Sequence, residues 1–276
     1  MSSDYYLETS EKLLQLIRDN VDLSVAIGLP DHLGCLGDPS LSAKERELAI
    51  VRRLIEDVDE SRGKDFYEQL DLGLIKLYLQ QWVFFDTLQL NGQLLRCQKP
   101  AGVDGISEGI FQLFVNDGRG AVARLTDILS RLRMAPAYLE QELEALTTPV
   151  RRWRDIELDQ AREIPEFFQT VLNWARECGF EACYELAAEI ERAGSALERY
   201  SETLTALPTT DAFSIGREQM EALLAIKRLG KTPEQLRRMA ADYTTGIRAT
   251  LEELRVRLIA KYALDTATTI EQLHEF

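Results

Sequence analysis

The sequence predicts an all-α protein, a multi-helix array of antiparallel helices and helical hairpins around a central apolar helix. Three observations lead there. Glycine and proline are sparse, 16 and 8 in 276 residues, while Leu, Glu, Ala and Arg dominate. Apolar residues recur at spacings of three and four over long windows. No alternating β-branched run is long enough to make a strand. The chain reads as a single helical domain over residues 1–276, with N-terminal helices in 1–62, a helical core in 63–264 and a tail in 265–276.

Residues 4–18 form the first amphipathic helix, on Tyr6, Leu7, Leu13, Leu14 and Ile17. The stretch from Gly28 to Pro39 is a loop dense in turn residues. Ser42 and Glu45 have capping-box spacing and start a helix that runs to Val58. Lys64 to Gln89 is apolar on more than one face, so it is expected to be the central helix. After a loop at Lys99–Gly102, helices are expected over 105–115, 119–133, 136–147, 150–161, 164–177, 180–206, 215–228 and 233–262. Pro136, Pro165 and Pro233 each suit a first helical turn.

The last of these helices carries the strongest local signals. Gly230 sets the turn before it. Thr232-Pro233-Glu234-Gln235 is a capping box with proline at the first helical position. Leu236, Ala240, Tyr243, Ile247, Leu251, Leu254 and Leu258 then form one apolar stripe, read as core or partner-facing. The tail from Asp265 to Phe276 is short and polar, and is expected either to be disordered or to dock on a partner.

Charge and composition narrow the function. A net charge of −14 argues against a nucleic-acid partner, which requires clustered Lys and Arg. The densest basic cluster is Arg151, Arg152 and Arg154 around Trp153. It reads as arginines stacked on a tryptophan at a helix start, or as a docking patch for an acidic partner. No apolar run reaches the roughly 18 residues of a membrane span, and the N-terminus has no signal core. The expectation is a soluble, cytoplasmic protein without a membrane partner. Cys35, Cys97, Cys178 and Cys183 include no C-x-x-C pair and are expected to be buried free thiols.

The search for chemistry assigns no catalytic residue, no metal ligand and no cofactor. The chain has two histidines, His32 and His274, and no His-Glu-x-x-His. His32 and Cys35 would supply only two of the four ligands of a structural zinc. The acidic run Glu56–Glu60 and the set Glu185, Glu189 and Glu191 lack the Glu-x-x-His of bundle di-metal sites. There is no Gly-x-Ser-x-Gly elbow. Asn116-Asp117-Gly118-Arg119-Gly120 reads as a turn and helix start in preference to an anion cradle. The aromatic residues are at core spacing.

Two segments carry a family resemblance. One is Gly216-Arg217-x-x-Met220-x-x-Leu223-Leu224 followed by Thr232-Pro233-Glu234-Gln235-Leu236; the other is Ser130 to Gln141, with Arg131-Leu132, Pro136 and Tyr138-Leu139. Together they resemble a bacterial family of unknown function, itself similar to carboxypeptidase Taq-type helical zinc peptidases. The resemblance spans Gly63 to Leu264. It implies the N-terminal half of such a protein, since the chain stops at Phe276, before the zinc-binding half would begin. The expected function is therefore a non-catalytic helical scaffold or binding module. Its partner would be a zinc-binding catalytic half or a peptide ligand, with oligomer formation as a further outcome. Trp153, Arg151, Arg152 and Tyr243 are the candidate partner-facing or groove-lining residues. The alternatives are an enzyme of another class using a carboxylate-lined pocket, and a truncated part of a metallopeptidase.

Overall fold

The structure, a computed structural model, describes residues 4–274. Contacts gather into two compact units, Met1–Ile215 and Gly216–Phe276. The division falls inside the 63–264 stretch that the sequence presents as one core. The architecture is all-helical apart from one two-stranded hairpin.

The first unit begins with α1 (Tyr5–Asp19) and a short α2 (Val21–Ala26), which starts where the Asn20 side chain accepts from the Leu23 amide at 2.9 Å. Helix α3 (Leu41–Asp57) is capped by Ser40, which accepts from the Ala43 amide at 3.2 Å. The cap lies two residues before Ser42, which is already helical. Helix α4 (Phe66–Thr87) is capped twice by Asp65, on the amides of Tyr67 and Glu68.

Helix α4 is not the central helix. Leu72 and Leu79 are buried with Leu16, Val51, Leu54 and Val58 of the N-terminal helices, forming a small core. Phe66, Tyr67, Leu70 and Leu74 remain exposed. Apolar residues all around a helix do not guarantee burial all around; the neighbours α1 and α3 cover one side only.

A hairpin follows, β1 (Gln89–Leu90) paired antiparallel with β2 (Gln93–Leu94). Asn91 and Gly92 have φ of 53° and 75°, the left-handed pair that a two-residue hairpin turn demands. The hairpin departs from the strand-free reading of the sequence: two-residue strands are too short to show any alternation, and the Asn91-Gly92 dipeptide is their one local signal.

The large core is built by α5 (Gly102–Val115), α6 (Ala121–Ala145), α7 (Arg151–Glu177) and α8 (Cys183–Ala206). Helix α6 takes the central place, burying Leu125, Ile128, Leu132, Ala135 and Leu139 between α5 and α8. Both α6 and α7 run unbroken through Pro136 and Pro165, where the sequence suggests separate helices. An interior proline costs about 3 kcal/mol. Buried residues on both sides of each proline hold the helix together: Leu132 and Leu139 around Pro136, Ala161 and Phe168 around Pro165.

The second unit holds α9 (Gly216–Ile226), α10 (Pro233–Tyr262) and α11 (Ile270–His274). The predicted capping box is present. Gln235 N donates to Thr232 Oγ1 at 3.3 Å, and Thr232 N to Gln235 Oε1 at 2.9 Å. Gly230 adopts φ 61° in the turn before it. The tail is partly helical and anchored: Arg255 donates to the carbonyls of Thr266 and Thr268 at 3.1 and 3.0 Å. Glu275 and Phe276 lie outside the described residues.

Helix α5 meets its neighbours through glycines. Gly102, Gly105 and Gly109 face Tyr200, Tyr138 and Arg131. A Cβ at 102 would lie 2.7 Å from Tyr200 Cζ. Gly102→Ala should therefore cost about 1–3 kcal/mol, lowering Tm by roughly 2–4 °C per kcal/mol. Gly118→Ala, whose Cβ meets nothing within 4 Å, should leave Tm unchanged. Scanning calorimetry of the two variants checks both expectations.

Candidate functional site

The first unit encloses a cavity of about 640 Å³ between its N-terminal helices and the α5–α6 pair. Its size falls within the range of small-molecule sites. Val25, Leu41, Leu48, Phe85, Leu94 and Leu95 make an apolar side. Arg131, Tyr138 and Glu142 of α6 face them, with Arg96 at the join.

Arg131 is the unusual group. It is 2% exposed, and its Nε donates to the Leu33 carbonyl at 2.8 Å. Among the described residues its two terminal nitrogens donate to no protein acceptor. No carboxylate among the described residues lies within ion-pair distance of it, although Asp22 and Asp127 act on it through space. Burial holds its pKa below the ordinary arginine value, yet a guanidinium stays charged at any physiological pH. Gly109 leaves the space that the guanidinium fills.

The other interior charges are matched. Glu142, also buried, accepts from Arg96 Nη2 at 3.1 Å; Arg96 also donates to the Pro39 carbonyl. Burial pushes the Glu142 carboxyl up, against the opposing pull of Arg96. Arg96 Nε is sealed from solvent without an acceptor among the described residues. Asp86 accepts from Trp82 Nε1 at 3.1 Å, and burial raises its pKa too. Lys44 pairs with Glu47 at 3.0 Å. Glu45, Lys99, Asp104 and Glu108 stand on the rim in solvent.

Beside the cavity, α5 begins without a capping side chain of its own, because its N-cap is Ala101. Glu157 of α7 replaces it. Its Oε1 accepts from the Val103 amide at 2.8 Å and from Tyr200 Oη at 2.9 Å, while Tyr200 Oη accepts from the Gly102 amide at 3.3 Å. Both residues are buried. These partners satisfy orphan amides, and the carboxylate meets the positive end of the helix. Desolvation still dominates and raises the Glu157 pKa.

None of the residues singled out as partner-facing lines this cavity. Arg151, Arg152 and Trp153 share the first turn of α7. Arg151 is tied to Asp211 at 3.2 Å, and Arg154 to Asp155 at 2.7 Å. The expected stacking of this cluster on Trp153 is absent among the described residues; Arg124 over Trp174, at 4.7 Å, is the arginine–tryptophan contact. Tyr243 sits on α10 in the second unit, 71% exposed, and Ile247, Leu251, Leu254 and Leu258 on the same stripe are exposed as well.

The four thiols are free, but Cys178 is exposed and the other three are partly so. Cys178 caps the end of α7 in a surface turn, which explains its exposure. Among the described residues no group of three or more His, Cys, Asp or Glu is placed to hold a metal. The Asp117–Arg119 turn is closed on itself, Arg119 pairing with both Asp117 and Asp127.

The residues that sequence reasoning missed did leave a signal. Arg131, Glu142 and Glu157 are charged residues in phase with the apolar stripes of their helices. Arg131 and Tyr138 also fall within the 130–141 segment already noted for its resemblance.

No family model matches the chain, and no curated protein matches it. Among solved structures it is similar to a "putative lipoprotein of unknown function" from Shewanella oneidensis, with a TM-score of 0.72 and 19% identity. The match covers 99% of this chain and 52% of that one, so the chain spans about half of its structural relative. At this identity the likeness establishes the fold alone. No helix among the described residues is long and apolar enough to cross a membrane.

The raised Glu157 pKa has a pH signature. The folded state holds this proton to a higher pH than the unfolded chain, whose value is near the ordinary 4.5. Folding is then linked to proton uptake, and stability falls as pH rises from that value through the folded pKa. Glu157→Gln removes the titration. Unfolding by urea at a series of pH values should show the stability of wild type, relative to the variant, decreasing from pH 4 towards pH 7. A constant difference would contradict the assignment.

Proposed function

We propose that the chain is a non-catalytic helical binding module that docks a helical protein partner along α10. The observation that carries this reading is α10 itself, 30 residues with none buried. Its apolar stripe repeats every eleven residues, pairing Ala240 with Leu251, Tyr243 with Leu254 and Ile247 with Leu258. Such a repeat keeps a stripe on one side of a nearly straight helix, suited to lying along another helix. About half of the Shewanella chain lies outside the match, which supports a further body beside the matched residues. The proposed occupant is a helical body taking the place of that other half. A zinc-binding half of the kind the sequence resemblance implies fits the same description. The absence of His-Glu-x-x-His from these 276 residues favours binding over catalysis here.

A second reading, an enzyme acting through a carboxylate-lined cavity, draws on Asp86 and Glu142, both pushed up by burial. The pairing of Glu142 with Arg96 assigns that carboxylate to a structural ion pair and weakens the case.

Benzoylphenylalanine placed at position 251 tests the docking reading by photocrosslinking in the native cells. One discrete adduct with a different polypeptide is expected, and it should vanish when Ile247→Glu and Leu254→Glu are added. An adduct of twice the chain mass would make the occupant a second copy. No adduct would remove the proposal.

A further inference from the structure

We infer that the cavity beneath α5 is a binding site for a small monocarboxylate with an apolar body, its carboxylate held by Arg131. The inference is independent of the α10 reading, since every residue involved belongs to the first unit.

Three observations converge. Arg131 is a permanent cation, almost wholly buried, whose terminal nitrogens line the cavity and have no protein acceptor among the described residues. Burying an unpaired charge is costly, and an anion in the cavity would offset that cost. The two forward-facing nitrogens of a guanidinium match the two oxygens of a carboxylate. The glycine at 109 is what lets the guanidinium lie against α5. Tyr138 places its hydroxyl beside Gly105 on the same wall, with no protein hydrogen-bond partner among the described residues. It is a ready donor to the same anion.

The charge balance selects a monoanion. Inside the cavity, Arg96 is matched by Glu142 and Lys44 by Glu47. Asp86 and, from α2, Asp22 add further negative potential, and Asp22 also acts on Arg131 through space. Arg131 is the buried cation of the lining that has no ion-pair partner among the described residues, and the surrounding carboxylates would repel a phosphate dianion more strongly than a monoanion. The opposite wall selects the rest of the ligand. Val25, Leu41, Leu48, Phe85, Leu94 and Leu95 offer no polar side chain, so an aliphatic or aromatic body buries well there. The volume of about 640 Å³ accommodates a medium-chain acid or an apolar dipeptide terminus.

Calorimetric titration of the full chain at pH 7.5 tests this. The ligands are octanoate and its neutral isostere octanamide, then acetyl-leucyl-leucine and its amide. Each carboxylate is expected to bind saturably and at least about ten-fold more tightly than its amide, the scale of a charge-assisted pair. Which acid binds better separates a fatty-acid source from a peptide terminus. Inorganic phosphate should not compete. Arg131→Gln should abolish the preference for the acid. Because that change alters a buried side chain on which α5 packs, Ala26→Trp provides a second variant. It starts from an exposed residue on the apolar wall and should block binding with Arg131 intact. Equal binding of acid and amide, no saturable binding of either acid, or full binding by Ala26→Trp would each overturn the assignment.

Discussion

Helix α5 lacks a Cβ at 102, 105 and 109, and side chains from two other helices occupy that space. Tyr200 comes from α8, and Tyr138 and Arg131 from α6. This interlock sets how closely α5 approaches the central helix. The same contact closes the helix end: Tyr200 meets the Gly102 amide while Glu157 holds both Tyr200 and the Val103 amide. Three helices thereby converge on one helix terminus. Replacing any one partner would strand a buried donor or acceptor, which costs more than the bond itself contributes. The large core around α6 is organised about this polar point as much as by its leucines.

The cavity is a consequence of the same arrangement. A helix with alanine or leucine on that edge would stand farther from α6 and fill the space with methyl groups. With glycines there, long polar side chains reach past α5 instead of packing beneath it. The N-terminal helices complete the enclosure without joining the large core. Their own core, on Leu16, Val51, Leu54, Leu72 and Leu79, is separate and smaller. Between two cores that do not merge, a gap lined by the helices around them is the natural outcome.

The fold class was legible in the sequence because helical periodicity, capping residues and sparse glycine all agreed. The Thr232–Gln235 capping box appears as written, because its bonds span only three residues. Long-range features were less legible. Pro136 and Pro165 read as breaks, since the burial that holds α6 and α7 together comes from other helices. Lys64–Gln89 reads as central because it is rich in apolar residues, but α1 and α3 cover only one of its sides. For the site, composition drew attention to exposed arginines at 151 and 152. The arginine that matters to the cavity is 131, and only its phase within an apolar stripe distinguishes it. Its lack of an ion-pair partner among the described residues is a tertiary fact that no local pattern contains.

The contrast between α6 and α10 bears on what the second unit is for. Both are long helices with apolar stripes, and α6 is held by burial along much of its length. Helix α10 has none. Its order rests largely on local terms, the capping box, proline in the first turn and the Glu252–Arg255 pair three residues apart at 2.6 Å, joined by the Arg217–Glu234 ion pair to α9 and the bonds of Arg255 to the tail. Surface pairs of this kind contribute little, because solvent screens them. The helix also ends on Ala263 with φ 51°, a left-handed geometry that disfavours a residue with a Cβ. Local terms of that size make a helix marginal in water, whatever its capping. An apolar stripe left in solvent adds nothing to its stability. Covered by a partner helix, the same stripe would supply the burial that α6 receives within the chain. The sequence thus places its strongest local helix signals where tertiary support is least, as the proposed docking surface on α10 would require.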